Sequence, residues 1–265
     1  MTVLKRVAAG INMIFELSDT SLAAGLFEGW EETLIWSALQ GVMGKVFVTD
    51  TQAPESAMAF TGCFAFVAGK PSKEIVLSKP EGFVIMVPQN EEWEKVIEEC
   101  YPDARKVTRY AIKKNTLFDE AYLRSLVGGL PEGYKLCKID NDIYDLCVKD
   151  PVTYDFVSAF GSKEKYLEYG RGVVILRDGK IVAGASSYTR YKEGIEIEVD
   201  TVPEERRKGL GSIVAAALII NCLEEGLYPS WDAQNMNSVR MAEKLGYEFD
   251  HEYTAYELAG NLRTH

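Results

Sequence analysis

The spacing of apolar and polar positions changes several times along the chain, and each change marks an element. GIEIEVDT, residues 194 to 201, alternates strictly: Ile195, Ile197 and Val199 fall on one face of a strand, Glu196, Glu198 and Asp200 on the other. Just before it, RGVVILRDGKIVAGASSYTRYKEG predicts a hairpin, because Asp178-Gly179 suits the left-handed positions of a tight turn. Residues 210 to 225 are apolar almost throughout and predict a buried helix closed by Gly226. LYPSWDAQ then reads as a strand, residues 236 to 245 as a helix ending at Gly246, and YEFDHEYTAYEL as a strand. Upstream, GYKLCKID is a strand, and NDIYDLCVKD and TYDFVSAFGSKEKYLEYG are two helices. From about Gly133 the order is therefore β-α-α-β-β-β-α-β-α-β.

The first half reads as helix, helix, three strands, helix, strand. Its opening segment is an amphipathic helix or a core segment, and residues 21 to 40 carry apolar residues at helical spacing. KVFVTD, SAMAFTGCFAFVAG and EGFVIMVP are the strands, Asn90 caps the helix EEWEKVIEEC, and ARKVTRYAIKK is the last strand. LVGGLPEGYK clusters three glycines and a proline between the two patterned regions, which places the boundary of two mixed α/β domains at 1–130 and 131–265.

Composition narrows the function. The chain has 265 residues, 47% of them hydrophobic, and a formal charge of −11, a balance that disfavours nucleic acid as a partner. No apolar run approaches a membrane span, and nothing at the start reads as a signal peptide, so no membrane association is expected. Five widely spaced cysteines, without any Cys-x-x-Cys, read as free thiols in a reducing cytoplasm. With only His251 and His265, neither a histidine metal site nor a histidine-based nucleophile is expected.

The segment with chemistry in it runs from Asp200 to Ser212, DTVPEERRKGLGS, and joins a strand to a helix start. Gly209 and Gly211 remove side chains where a ligand meets backbone, the first-turn amides and helix dipole favour an anion, and Arg206, Arg207 and Lys208 add positive charge. Together they describe a pyrophosphate cradle. A Walker A loop is excluded by the absence of its Gly-Lys-[Ser/Thr]. A dinucleotide fingerprint is opposed by Val214 where a third glycine would stand, although Asp232 lies at a fitting distance.

Arg206-x-x-Gly209-x-Gly211 resembles the coenzyme A loop of the GNAT (GCN5-related) N-acetyltransferase superfamily, and NMNSVRMAEKLGY, from Asn235 to Tyr247, is similar to that family's second signature. The resemblance covers about residues 133 to 258, and the whole chain resembles a two-domain subgroup of unassigned substrate. It implies a GNAT fold: a central, mostly antiparallel twisted sheet, helices on both faces, and fourth and fifth strands that splay to admit the pantetheine arm of acetyl-CoA. Val199, Asp200 and Thr201 would pair with that arm. Arg206, Arg207, Lys208, Gly209, Leu210, Gly211 and Ser212 would hold the pyrophosphate, and Asn235 and Ser238 would lie near the cofactor. Asn235 is equally well a helix N-cap.

The implied reaction is direct attack of an acceptor amine on the thioester. Glu198, then Glu196, then Asp232 are the candidate bases; a solvated or salt-bridged carboxylate is the alternative for each. Where the family often has a tyrosine acid, this chain has Ala242, and Tyr228, Tyr247, Tyr188 or water would replace it. A weakened acyl-CoA-binding sensor is the competing function. The first half has no phosphate loop. It is either a stripped GNAT-like repeat, walling an acceptor groove or forming a homodimer, or an unrelated α+β domain. The acceptor is a small-molecule or peptide amine.

Overall fold

In the computed structural model the described residues are 13–259, so most of the opening segment expected as an amphipathic helix or core segment lies outside them. The chain forms two compact units. One holds residues up to Arg109 together with those from Glu252, and the other is Tyr110–His251.

The first unit starts with a short strand β1 (Phe15–Glu16) and a 3-10 stretch, Thr20–Phe27, followed by α1 (Thr33–Leu39). The single helix expected over 21 to 40 is interrupted at Gly29, whose φ of +76° suits glycine and breaks a helix. Then come β2 (Lys45–Val48), β3 (Ser56–Thr61), β4 (Phe64–Gly69), α2 (Lys73–Leu77), β5 (Val84–Pro88), α3 (Glu91–Cys100) and β6 (Arg105–Ile112). SAMAFTGCFAFVAG is two antiparallel strands, turning at Gly62. The Asn90 side chain caps α3, as expected, accepting from the amides of Glu92 and Trp93.

The second unit continues with α4 (Glu120–Gly128), β7 (Tyr134–Lys138), α5 (Asn141–Cys147), α6 (Pro151–Ser158), α7 (Lys163–Tyr169), β8 (Gly172–Arg177), β9 (Lys180–Tyr191) and β10 (Gly194–Thr201). A 3-10 turn, Pro203–Glu205, leads to α8 (Leu210–Glu224), β11 (Tyr228–Ser230), β12 (Asp232–Ala233), α9 (Met236–Lys244) and β13 (Phe249–Leu258). The boundary between the units falls inside β6 and inside β13.

In the first unit the strand order is β1-β2-β3-β4-β5-β13, with β6 next to β13; β4 and β5 are parallel, and β5 pairs antiparallel with β13. In the second it is β11-β10-β9-β8-β7, antiparallel except for the parallel pair β10–β11. Each unit thus repeats one plan: four antiparallel strands, the last three consecutive, then a helix, a parallel strand and a helix.

Ile195 and Ile197 join α8 in the core of the second unit, with Val199 packed at its margin. On the other face α6 lies so close to β9 that a Cβ on Gly184 would strike the Phe156 ring. Helices therefore cover both faces of this mixed sheet, as expected. No helix among the described residues is long and apolar enough to cross a membrane.

The glycine-rich stretch expected as a boundary lies within the second unit, between α4 and β7. The cause is α4 itself, which the sequence reading did not anticipate: Leu123 is fully buried in the α8 core, with Leu126, Val127 and Leu130 packed beside it. Leu123→Ala is expected to lower stability by about 2–5 kcal/mol, the usual cost of such a cavity. Urea unfolding of the full chain checks this, and a loss within error of zero would detach α4 from the core.

Candidate functional site

β10 positions the site. It pairs with β9 along its whole length, but with β11 at only three places: Gly194 with Tyr228, Ile195 with Pro229, and Glu196 with Ser230. At Gly194 the two strands approach so closely that a Cβ would sit 2.1 Å from the Tyr228 carbonyl oxygen. Beyond Ser230 the chain leaves β10, and β12 pairs with the end of β6 instead, Asp232 opposite Ala111 and Ala233 opposite Tyr110. LYPSWDAQ, expected as one strand, is therefore two. Among the described residues no strand covers the edge of β10 facing away from β9 beyond Glu196, and that edge includes Val199, Asp200 and Thr201.

The uncovered edge runs into the loop before α8. Arg207 and Gly209 both take left-handed backbone angles, φ +67° and +81°, and only Gly209 does so without cost. Gly209 caps α8 without a side-chain bond, so the amides of Leu210, Gly211 and Ser212 have no capping side chain. A Cβ at Gly209 would meet nothing within 4 Å, whereas one at Gly211 would touch the end of the Met241 side chain at 3.3 Å. Arg206 folds back on β10: its Nε donates to the Thr201 carbonyl at 2.9 Å, and its Nη2 lies 3.4 Å from Asp200 Oδ1. Lys208, also expected at the phosphate, donates to Glu205 Oε2 at 2.8 Å.

The carboxylate stripe is real but unequal. Glu196 is buried, at 4% exposure, opposite Thr189, whose Oγ1 is shut from solvent and makes no hydrogen bond to the protein. Glu198 is half-buried; its Oε1 is likewise shut from solvent and accepts no hydrogen bond. Burial, with repulsion from Asp155 and Asp200 added, pushes the Glu198 carboxyl up to about 8. Asp155 stands on α6, which the sequence reading did not connect with the stripe. Asp200 is exposed and accepts from its neighbour's amide, Thr201 N, at 2.7 Å. Asp232 sits on β12, which shares no register with β10.

Next to the stripe β9 bulges. Glu196 and Ile197 are adjacent, yet they pair with Thr189 and Ser187, so Tyr188 is the extra residue. Of the tyrosines considered in place of an acid at Ala242, two are engaged elsewhere. Tyr247 is buried and donates to the Pro229 carbonyl at 2.5 Å, and Tyr228 donates to the Lys113 carbonyl while accepting from the Thr116 amide. Ala242 itself is fully buried in the core. Asn235 caps α9, accepting from the amides of Asn237 and Ser238 at 3.0 Å each, and the Ser238 hydroxyl accepts from the Trp231 indole at 3.0 Å.

The raised Glu198 carboxyl links stability to pH. A glutamate of ordinary pKa 4.5 ionises in the unfolded chain, whereas the folded one keeps its proton up to about 8. This contribution is complete below the unfolded value and is lost as pH rises through the folded one. The melting temperature of the wild type relative to Glu198→Gln is therefore expected to fall between ~pH 5 and ~pH 8 and to level above. A constant difference across that range would show that Glu198 titrates normally.

Comparison with known proteins identifies the family and the fold. The profile of the GNAT acetyltransferase family matches residues 24–256. A GCN5-related N-acetyltransferase-like protein from Streptococcus suis 89/1591 is 45% identical, with 90% of this chain and 98% of that one covered and a TM-score of 0.86. The uncharacterized N-acetyltransferase YdfB of Bacillus subtilis (strain 168) is 26% identical over 241 residues, which are 84% of this chain and 89% of that protein. A tandem GNAT protein from the clavulanic acid biosynthesis pathway shares the fold at 11% identity, with 93% and 98% covered and a TM-score of 0.50. The chain belongs to the GNAT acetyltransferase family.

Proposed function

We propose that the second unit transfers an acetyl group from acetyl-CoA to a primary amine by direct attack in a ternary complex. The observation that carries the reading is the uncovered edge of β10, which ends on a helix start without a side-chain cap and has a raised carboxyl, Glu198, beside it. The donor fits residue by residue. The edge at Val199 to Thr201 offers backbone groups to the amides of a pantetheine arm. The amides of Leu210 to Ser212, with Arg207 exposed beside them, offer donors to a pyrophosphate. Asn235 and Ser238 serve the fold at the start of α9, and any part they play at the donor is secondary to that.

When bound, acetyl-CoA supplies an acyl group activated as a thioester. The protein's task is then to hold the acceptor amine in line with that group and to take its proton. An alkyl ammonium has a pKa of about 10.4, and a carboxylate with a pKa near 8 accepts its proton far more readily than an ordinary glutamate. The negative charges of Asp155 and Asp200, on either side of a Glu198 carboxyl that gives up its proton only near pH 8, favour an acceptor that arrives as a cation, without a carboxylate next to its amine. Glu196 is the second candidate base, and Asp232 the third. The sensor reading is favoured by one observation, the commitment of Tyr228 and Tyr247 to structural hydrogen bonds beside a buried Ala242. A thiolate leaves without an acid, however, and Tyr188 stands at the bulge.

The first unit follows the same plan, and we read it as a repeat without a donor site. β4 and β5 pair from Phe64–Ile85 to Val67–Pro88, the Gln89 side chain accepts from the Gly69 amide at 2.9 Å, and the short helix α2 is capped by Ser72.

Calorimetry with acetyl-CoA and steady-state rates with a panel of amines test the function. Gly211→Leu is expected to weaken acetyl-CoA binding about tenfold or more, because its side chain would press on Met241 and Thr201 and displace the first-turn amides of α8. Unchanged affinity in a folded variant would move the donor elsewhere. Glu198→Gln is expected to lower kcat by about 10²-fold with acetyl-CoA affinity unchanged. It should also remove the rise of kcat/KM with pH that the wild type shows up to about 8. The same profile in both proteins would pass the base to Glu196. Binding without turnover of any amine would favour the sensor.

A further inference from the structure

We propose that Glu205 is a positioning residue, a brace that fixes the shape of the loop before α8. The proposal rests on the reading of that loop as the pyrophosphate site. Glu205 lies in the 3-10 turn Pro203–Glu205 and its side chain is only 10% exposed, against 43% and 44% for Lys208 and Arg177. Three groups from three elements converge on its carboxylate. Lys208 Nζ donates to Oε2 at 2.8 Å, Tyr134 Oη of β7 donates to the same oxygen at 2.5 Å, and Arg177 Nη1 of β8 donates to Oε1 at 2.8 Å. Arg177 also donates to Tyr134 Oη at 3.1 Å and stacks over the Tyr134 ring at 5.2 Å. The donors hold the carboxyl down at about 2, the Lys208 bond first among them, so the brace is ionised throughout the physiological range.

The place of this cluster gives it a task. Residues 206 to 209 include a left-handed arginine, Arg207, a conformation an L side chain resists. The loop is anchored behind Arg207 by Arg206 on Thr201 and Asp200, and ahead of it by Lys208 on Glu205. With both ends fixed, the left-handed turn persists before any ligand arrives, and the first-turn amides of α8 keep their direction. Lys208 is then part of the brace, and Arg207 is the exposed side chain that faces an anion. A loop already in its bound shape avoids the ordering cost that binding would otherwise carry.

The test uses the full chain with Glu205→Gln and, as the milder change, Tyr134→Phe. Hydrogen exchange of the amides at 206 to 212 without ligand reads the brace directly. Acetyl-CoA affinity by calorimetry reads its consequence, and S-acetylpantetheine, which lacks the pyrophosphate, followed by saturation-transfer NMR is the control. Faster exchange in both variants is expected, with acetyl-CoA binding about tenfold weaker in Glu205→Gln and S-acetylpantetheine binding unchanged. Exchange at the wild-type rate in both variants overturns the brace. So does equal or tighter acetyl-CoA binding in Glu205→Gln, the result if losing Glu205 merely released Lys208 toward the phosphates. Faster exchange in a protein whose wild type binds no acetyl-CoA leaves the brace standing and removes the donor-site reading instead.

Discussion

Parallel strands that share three register positions and then part leave a run of backbone donors and acceptors to be satisfied by something other than the sheet. That parting organises the second unit. Its closed end depends on Gly194, since any larger residue would collide with the Tyr228 carbonyl. At its open end β12 pairs with β6 and not with β10. The apolar face of β10 is held by α8, so the strand cannot follow β11 away, and the Glu198 face is left beside the opening. The loop before α8 must reach from the end of that strand to a helix start in a few residues, and the left-handed Arg207 and Gly209 are the cost of so short a path.

The first unit shows the same plan without the parting. There the parallel pair stays together, the position just past β5 is filled by Gln89, and Trp93 adds a hydrogen bond from its indole to the Gly69 carbonyl at 2.9 Å. Its crossover helix has five residues, begins with a capping serine and carries Glu74 in its first turn, which repels an anion. Two copies of one topology thus differ in whether the strand edge is covered by protein or left open. The difference lies in a few side chains at the end of one strand, not in the order of the elements.

Much of this was legible in the sequence wherever local chemistry decides structure. The alternation of GIEIEVDT, the Asp178-Gly179 turn, the caps at Asn90 and Asn235, and the glycines of the loop each act within a few residues, and each is found where it was expected. What escaped depends on distant partners. α4 is a short, mostly polar helix whose place is set by Leu123 meeting α8. β11 and β12 separate because β6, more than a hundred residues upstream, draws one of them off. Glu205 looked like one charge among several in PEERRK. Its i,i+3 spacing to Lys208 was a visible signal, but Tyr134 and Arg177 come from other strands and no local rule gathers them.

The β5–β13 pairing bears on how the chain is made. Val84, Ile85 and Met86 find their partners in Leu258, Glu257 and Tyr256, so the first unit lacks an interior strand until roughly 170 residues later, on the order of ten seconds or more of synthesis. Until then β5 presents an apolar, unpaired edge to the cell. The half translated first is the half completed last. During that interval the slot that β13 will occupy is open to pairing with another strand.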